Sequence, residues 1–338
     1  MQNGLLVYTE KYNIFNIGDY IQSLAAKQFF HKIDVLIDRE NLDKYTGEKV
    51  KIILNGWFMH SPENWPPSQF INPLFVSFHI NSAVEKVLTN EVNIAYLKKH
   101  SPIGCRDNNT VTILREKNVE AYFSGCLTLT LAGKYKKNKQ SDIIYFVDPY
   151  FDYYDDAYHS LCYIKLLLTH YNLINKITLS LYSVRNIKTL KKGAAFYKSY
   201  KDLFSDEVIR DAVYISHIYS NTYIIGHTAK FKLADSLLKK YASAKFVVTS
   251  RIHCALPCLA IGTPVLYVEN VNQKKSSFCR LSGLTELLHV IKYNKEKLSC
   301  ELIKKNKITQ SFVFNNKLTH TLFVEKLVKT CEIFSSNT

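Results

Sequence analysis

The sequence predicts an α/β protein in which parallel strands alternate with helices along the chain. Short apolar runs, such as 246–249 and 264–268, are typical of buried parallel strands. The polar, basic stretch 134–141 has no periodicity and is predicted to be a linker, after which the alternation begins again. Because 338 residues suffice for two domains of about 150 residues each, we expect two facing Rossmann-like, doubly wound domains. They comprise residues 1–133 and 142–316, followed by a C-terminal helix at 317–338.

The elements of the first half follow from apolar runs and helical periodicity. Strands are predicted at 5–9, 34–37, 51–54, 74–78, 103–105 and 121–123. Helices are predicted at 18–30, 82–88, 91–99 and 109–117. Each of the last two strands ends in a short polar segment, which is typical of the edge of a parallel sheet.

The second half repeats this pattern. Strands are predicted at 143–147, 176–182, 213–215, 246–249 and 264–268. Helices are predicted at 157–170, 189–204, 231–241 and 317–334. Between the last two strands lies a short helix, for which Ser250 is the predicted N-cap and Gly262 the predicted C-terminal stop.

The net charge of +15 indicates a negatively charged partner. The basic residues are scattered in pairs such as Lys98-Lys99 and Lys239-Lys240 without a nucleic-acid-binding motif, so we expect an anionic membrane surface rather than nucleic acid. The eight cysteines include no CxxC pair, and no metal site is expected. The N-terminus lacks signal-peptide features and no apolar run spans a membrane. We therefore expect a cytoplasmic protein, peripheral at the inner face of the cell membrane.

The segment from Ser250 to His253 is the strongest candidate site. Arg251 and His253 follow a buried strand and lie in the first turn of a helix, with Ile252 between them. Ligands of open α/β sheets bind at this edge, where free N–H groups and the helix dipole favour anions. A cation and an imidazole here predict an anionic substrate and proton transfer. The alternative for His253 is a hydrogen-bonded histidine in the wall of the core.

Arg106 follows another predicted strand, 103–105, and is the second candidate cation. A guanidinium can hold a carboxylate or phosphate with two hydrogen bonds. Arg106 and Arg251, from opposite domains, would form a clamp for a small molecule with two negative charges. The alternative for Arg106 is a surface ion pair with Asp107.

Weaker candidates lie at other strand ends. Asn16, Gly18 and Asp19 precede the first helix, where Gly18 allows close backbone approach and Asp19 is predicted to cap the helix. Asn55 and Trp57 follow the strand 51–54, where the tryptophan provides a stacking face for sugars or packs in the core. His79 is a second candidate for proton transfer. An acidic group at Asp148, Asp152, Asp155 and Asp156 is better explained by a helix N-terminus than by a metal site.

These motifs, in this order, resemble the polysaccharide pyruvyl transferase family. The resemblance rests on Asn16-Ile17-Gly18-Asp19, Asn55-Gly56, Gly104-Cys105-Arg106-Asp107, Phe123-Ser124-Gly125, Ser250-Arg251-Ile252-His253 and Gly262-Thr263-Pro264. It implies a GT-B-like arrangement, with the acceptor on the side of residues 1–133 and the donor on the side of 142–316.

The resemblance also implies the activity. Such enzymes transfer the enolpyruvyl unit of phosphoenolpyruvate to two sugar hydroxyls and form a cyclic ketal; no other cofactor is implied. The acceptor would be a surface-polysaccharide precursor on a polyprenyl diphosphate carrier. Arg106 and Arg251 would bind phosphate and carboxylate, and His253 would protonate the enol carbon or deprotonate the attacking hydroxyl.

Two other functions compete with this interpretation. A nucleotide-sugar glycosyltransferase would share the two-domain shape and could use Glu269 to bind ribose hydroxyls. A nucleic-acid-binding protein would use the positive charge, but it would have no need of a paired arginine and histidine at a strand end.

Overall fold

The computed structural model describes residues 1–9, 13–136, 141–182, 184–273, 279–303 and 306–336. The architecture is mixed α/β with parallel sheets, consistent with a Rossmann-like fold. The division into two facing domains stays a prediction. The predicted linker 134–141 lies partly outside the described residues, since 137–140 are not among them.

The first half of the chain contains seven described strands: β1 (Gln2–Val7), β2 (Ile14–Asn16), β3 (Val35–Asp38), β4 (Val50–Leu54), β5 (Ile71–Phe75), β6 (Ile103–Cys105) and β7 (Ala121–Phe123). Its described helices are α1 (Ile17–Lys27), α2 (Glu85–Leu88), α3 (Glu91–Lys99), α4 (Asn108–Glu116) and α5 (Ala132–Tyr135). Four strands form a parallel sheet in the order β3-β1-β4-β5, and β6 pairs with β7, also in parallel. The predicted strands and helices of this half are confirmed, with shifts of a few residues at their ends.

The second half of the chain contains seven described strands, and six of them form one sheet. The seven strands are β8 (Ile144–Val147), β9 (Val213–Ile215), β10 (Ile218–Ser220), β11 (Phe246–Thr249), β12 (Val265–Asn270), β13 (His289–Asn294) and β14 (Lys297–Cys300). Its described helices are α6 (Ala157–Tyr182), α7 (Ile187–Tyr200), α8 (Asp206–Asp211), α9 (Gly226–Ser243), α10 (Ile252–Ile261) and α11 (Thr321–Ser336). The sheet order is β14-β13-β12-β11-β8-β9, and every pair except β13–β14 is parallel.

The predicted strand at 176–182 is wrong, because this segment is the end of α6. Apolar residues alternate there, which predicts a strand, but the buried positions are Ile174, Ile177 and Thr178, at helical spacing. These residues face α7, where Thr178 lies against Gly193 and a larger side chain would not fit. Helix packing therefore overrides the local alternation. The helix is interrupted at His170, whose backbone is not helical.

The two large sheets are joined by a shared hydrophobic core. Strand β2 pairs with β10 in antiparallel orientation, and α1 packs against α9. One cluster of buried side chains contains Leu5 of β1, Ala25 of α1, Leu238 of α9 and Val247 of β11. This junction brings the N-terminus of α1 next to the N-terminus of α10. Among the described residues, no helix is both long and apolar enough to span a bilayer.

Candidate functional site

A small cavity lies where the N-termini of α1 and α10 meet the end of β6. Its volume of about 50 Å³ holds about four water molecules. Most of the predicted site residues line it, together with two that the sequence did not indicate: Asn16, Asp19, Trp57, Arg106, His217, Ser250, Arg251, Ile252, His253 and Arg280. The structure therefore brings segments that are distant in the sequence to one place.

Arg106 is buried on the cavity wall, with 3 % of its surface exposed. Its Nε atom has no hydrogen-bond partner among the described residues. Burial lowers the pKa of Arg106, whereas the nearby Asp107 carboxylate raises it, and a guanidinium stays charged in a protein. The alternative of a surface ion pair with Asp107 is wrong, because both residues are buried and Asp107 binds His79 instead.

His79 lies behind the cavity rather than on its wall. Its Nδ1 atom is 2.6 Å from Oδ2 of Asp107, and the side chain is fully buried. Burial and the charge of Arg106 lower the pKa of His79 to about 4, so the imidazole is neutral at physiological pH. Trp57 does line the cavity and stacks on the His79 ring, with 6.3 Å between ring centroids. His79 therefore supports Trp57 and Asp107 and does not face the cavity.

His253 lies in the first turn of α10 and is partly exposed. Its Nε2 atom is shielded from solvent and has no hydrogen-bond partner among the described residues. Burial and the charges of Arg106 and Arg280 hold the pKa of His253 well below its usual range. The imidazole is therefore neutral at physiological pH. A core-wall histidine would have its ring nitrogens satisfied, so the unpartnered Nε2 favours a ligand-facing role.

The start of α1 differs from the prediction in its capping residue. Asn16, not Asp19, is the N-cap, and its side chain accepts a hydrogen bond from the backbone N–H of Gly18 at 2.9 Å. Oδ1 of Asp19 instead accepts a hydrogen bond from Nη1 of Arg39 at 2.8 Å. Arg39 is buried and also donates to Glu40, so the sequence missed a buried ion network beside the cavity.

The start of α10 also differs from the prediction. The N-cap is Arg251 rather than Ser250, while Gly262 ends the helix in the left-handed conformation as expected. Oγ of Ser250 accepts a hydrogen bond from the backbone N–H of Tyr150. This hydrogen bond connects the cavity wall to the segment that follows β8.

Arg251 has a partner that the sequence did not indicate. Its Nε atom donates to Oδ2 of Asp148 at 2.8 Å, and the same oxygen accepts from the backbone N–H of His217 at 2.8 Å. Asp148 has a backbone φ of 39°, a sparsely populated conformation that is common at functional sites. Asp148 therefore contacts two residues of the cavity wall without lining the cavity itself. Asp156 accepts from the N–H of His159 at the start of α6, as predicted.

His217 and Arg280 are the cavity residues that sequence reasoning missed. His217 is fully buried, its Nε2 atom is 2.8 Å from Oη of Tyr241, and its Nδ1 atom has no partner among the described residues. Since His217 follows β9, the expectation that ligands bind at the ends of parallel strands could have identified it. Arg280 lies in a 3₁₀ turn, Cys279–Leu281, and its Nε atom is also buried and unpartnered among these residues. No local signal distinguishes Arg280.

Asn55 and Gly18 support the cavity without lining it. Asn55 is buried, and its Nδ2 atom donates to the carbonyl of Gln22 in the middle of α1. Gly18 packs directly under the imidazole of His253. Glu269, the residue that a nucleotide-sugar enzyme could use, lines a different cavity with Lys292 and Lys317. No group of three potential metal-binding His, Cys, Asp or Glu side chains occurs within the described ranges.

The fold and the cavity define a class of protein: an α/β protein that gathers arginines and histidines around a small cavity. The family model of the polysaccharide pyruvyl transferases matches residues 16–272, and the chain belongs to this family. Membership implies a transferase of polysaccharide biosynthesis. Comparison with curated proteins gave no significant match.

Proposed function

We propose that the protein transfers the pyruvyl unit of phosphoenolpyruvate to two hydroxyls of a sugar, forming a cyclic ketal and releasing phosphate. One observation carries the proposal: the cavity walls contain four shielded nitrogens without partners among the described residues. They belong to Arg106, Arg280, His217 and His253. Each unsatisfied polar group costs about 1–3 kcal/mol. An anionic ligand would remove this cost at the nitrogens that donate hydrogen bonds, and family membership supports a pyruvyl donor.

Phosphoenolpyruvate matches the charge of the cavity. It carries a phosphate and a carboxylate on a three-carbon unit, and the cavity walls contain three arginines. The guanidinium groups of Arg106 and Arg280 form no ion pair with a described residue, whereas Arg251 is balanced in part by Asp148. We assign the first two to the donor's anionic groups and Arg251 to the charge that develops as phosphate leaves.

The reaction requires one proton at the methylene carbon. Protonation of C3 makes C2 electrophilic, two sugar oxygens then form bonds to C2, and the bond from C2 to the phosphate oxygen breaks. The two hydroxyl protons balance the new methyl hydrogen and the proton on the released phosphate. No oxidant or reductant is needed.

His253 is the group that we assign to this proton. Burial and the surrounding arginines lower its pKa. The donor's negative charge would offset those arginines and raise the pKa, so that the imidazole gains a proton when the donor binds. His253 would then carry its catalytic proton only when the donor is bound.

His217 is the group that we assign to the hydroxyl proton. Its Nδ1 atom is unpartnered among the described residues and can accept a proton if Nε2 carries a hydrogen and donates to Oη of Tyr241. Burial raises the pKa of Tyr241 well above its usual range, so the phenol stays neutral and keeps this hydrogen bond.

The acceptor that we propose is a surface-polysaccharide precursor on a polyprenyl diphosphate carrier, at the inner face of the cell membrane. The net charge of +15 supports work at an anionic lipid surface. Sedimentation with vesicles of phosphatidylglycerol, against vesicles of phosphatidylcholine, tests this association. Equal sedimentation with both would contradict it.

Phosphate release tests the activity itself. The protein is incubated with phosphoenolpyruvate and with lipid-linked oligosaccharides extracted from a polysaccharide-producing strain. We expect phosphate release that depends on the acceptor, together with a product that carries a pyruvate ketal by mass spectrometry. Sugar transfer from a nucleotide sugar in the absence of phosphoenolpyruvate would contradict the proposal and support a glycosyltransferase.

A further inference from the structure

A second, larger cleft opens directly beside the small cavity. Its volume is about 840 Å³. Both spaces share three lining residues, Ser250, Arg251 and Arg280, so a molecule in the cleft touches the same arginines as a molecule in the cavity. The cleft is formed by the segments that follow β8, β9, β11 and β12, at the carboxyl edge of the six-stranded sheet, where ligands of parallel sheets bind.

The other space next to the cavity, which shares Asp19 with it, is too small for a second substrate. There, a pocket lined by Asp19, Asn55 and Gly56 has a volume of only about 10 Å³. That is room for one water molecule. Since both substrates must meet at the donor, the volumes favour the cleft.

The lining of the cleft suits a neutral sugar ring. Tyr182, at the end of α6, is partly exposed, so its ring can offer a flat apolar face to a sugar. Tyr267 of β12 is buried, with 3 % of its surface exposed, and contributes to the lining a hydroxyl group that makes no hydrogen bond to a described residue. An aromatic face and a phenol hydroxyl together match a pyranose. Asn270 and Ser216 add an amide and a hydroxyl.

Among its described lining residues, the cleft has no cation that the small cavity does not share. The charged residues among those that line it are Asp148, Arg251 and Arg280, and both arginines also line the small cavity. None of the described lining residues is a lysine. A diphosphate would need cations of its own, whereas a neutral sugar needs only hydrogen bonds and ring contacts.

We propose that this cleft binds the pyranose that receives the pyruvyl group, with Tyr182 and Tyr267 as its recognition residues. This inference rests on the proposed function, because it places the acceptor hydroxyls next to a donor in the small cavity. It also assigns the acceptor to the segments of residues 142–316, whereas the resemblance led us to expect it on the side of residues 1–133.

Two measurements on the full-length protein test this proposal separately from the proposed function. Calorimetry measures the binding of phosphoenolpyruvate alone. Saturation-transfer NMR then measures the binding of methyl β-pyranosides with galacto, gluco and N-acetylmannosamine configurations, with phosphoenolpyruvate present. The variants are Tyr182→Ala and Tyr267→Phe, the second of which removes only a hydroxyl group. The control is Tyr223→Ala, at a tyrosine that is 88 % exposed and lines neither space.

We expect the wild type and Tyr223→Ala to bind at least one pyranoside, and both cleft variants to bind it about tenfold more weakly. Binding of phosphoenolpyruvate should stay within about twofold in all four proteins. Unchanged pyranoside binding in the cleft variants, or no binding by the wild type, would overturn the proposal. Failure of the wild type to bind phosphoenolpyruvate, with pyranoside binding intact, would instead overturn the proposed donor and leave the sugar site in place.

Discussion

Gly18 and His253 are in direct contact across the junction of α1 and α10. A Cβ atom at Gly18 would lie 3.1 Å from Nδ1 and 3.2 Å from Cβ of His253. It would also lie 3.1 Å from Oδ1 of Asn16, the N-cap of α1. The sequence predicts that Gly18 allows close backbone approach, and the structure shows that the approaching group is the imidazole of His253. Gly18 therefore sets the position of the ring that we assign to proton transfer.

We predict that Gly18→Ala lowers kcat about tenfold or more while leaving the protein folded. The added methyl group requires the imidazole to move by a few tenths of an ångström. Since a shift of about 1 Å in a catalytic group can reduce the rate a hundredfold, this smaller shift should have a measurable effect. Alanine is favoured over glycine in a helix by about 1 kcal/mol, so stability should change little. Steady-state phosphate release and thermal unfolding measure the two effects.

The matched control for this change is Gly133→Ala in α5. A Cβ atom at Gly133 would meet no atom within 4 Å, so this variant adds the same methyl group in open space. Its kcat should equal that of the wild type. If Gly18→Ala also kept full activity, the contact with His253 would have no role in positioning the ring.

Arg280 should contribute to donor binding as strongly as Arg106 does. Its Nε atom is buried and unpartnered among the described residues, and its charge lies close enough to lower the pKa of Arg106. We predict that Arg280→Ala weakens binding of phosphoenolpyruvate by about ten- to a hundredfold, since a charge-assisted hydrogen bond contributes about 1.5–3 kcal/mol. Arg210→Ala, which removes an exposed arginine paired with Asp211, is the control. Calorimetry should show a loss in the first variant only.

Asp148→Asn should change donor affinity and kcat in opposite directions. The substitution preserves the size of the side chain but removes the negative charge that faces Arg251 and the backbone N–H of His217. Donor affinity should rise about fivefold, because the cavity gains one net positive charge. The kcat value should fall, because Arg251 and His217 lose a common partner. The control is Asp152→Asn, because the Asp152 carboxylate accepts hydrogen bonds from tyrosine hydroxyls rather than from Arg251. Donor affinity and kcat should both stay unchanged in this variant.

His79 should make the fold sensitive to acid. Its pKa is about 4 in the folded protein and about 6.5 in an unfolded chain, so the unfolded state binds more protons between these values. The free energy of unfolding therefore decreases as the pH falls from about 6.5 to about 4, by up to about 3 kcal/mol. Urea unfolding at several pH values should show a shallower decrease in His79→Gln. An identical slope in both proteins would show that His79 does not contribute.

Much of the site could be predicted because it obeys a rule of parallel sheets. Arg106, Arg251 and His253 each follow a buried strand, and the carboxyl ends of such strands are where the chain gathers its ligand-binding residues. The same rule applied to β9 would have added His217. What the sequence cannot show is pairing across the fold, such as Asp148 with Arg251 or Asp107 with His79, because these partners are far apart in the chain.

The fold was predicted least well where packing overrides a local pattern. In 176–182 the apolar residues alternate as in a strand, but the burial of Ile174, Ile177 and Thr178 against α7 selects a helix. The two helix N-caps were displaced for a similar reason. Asp19 and Ser250 are good capping residues, yet Arg39 and the backbone of Tyr150 provide them with other partners.

Donor binding should be accompanied by the uptake of a proton on His253. In the free protein, burial and the nearby arginines keep the pKa of this imidazole low, so it is neutral at pH 7. A bound phosphoenolpyruvate raises that pKa, and a group whose pKa rises on binding takes up a proton. Affinity should therefore be highest at low pH and decrease as the pH rises through the pKa of the complex.

Calorimetry in two buffers of different ionisation enthalpy measures this uptake directly. At pH 7, the wild type should take up about one more proton than His253→Gln on binding phosphoenolpyruvate. The difference between the two proteins removes the donor's own ionisation. His289→Gln is the control, since His289 lines a separate cavity, and it should match the wild type. Equal proton uptake in the wild type and His253→Gln would show that another group receives the proton, and His217 would then be the next to test.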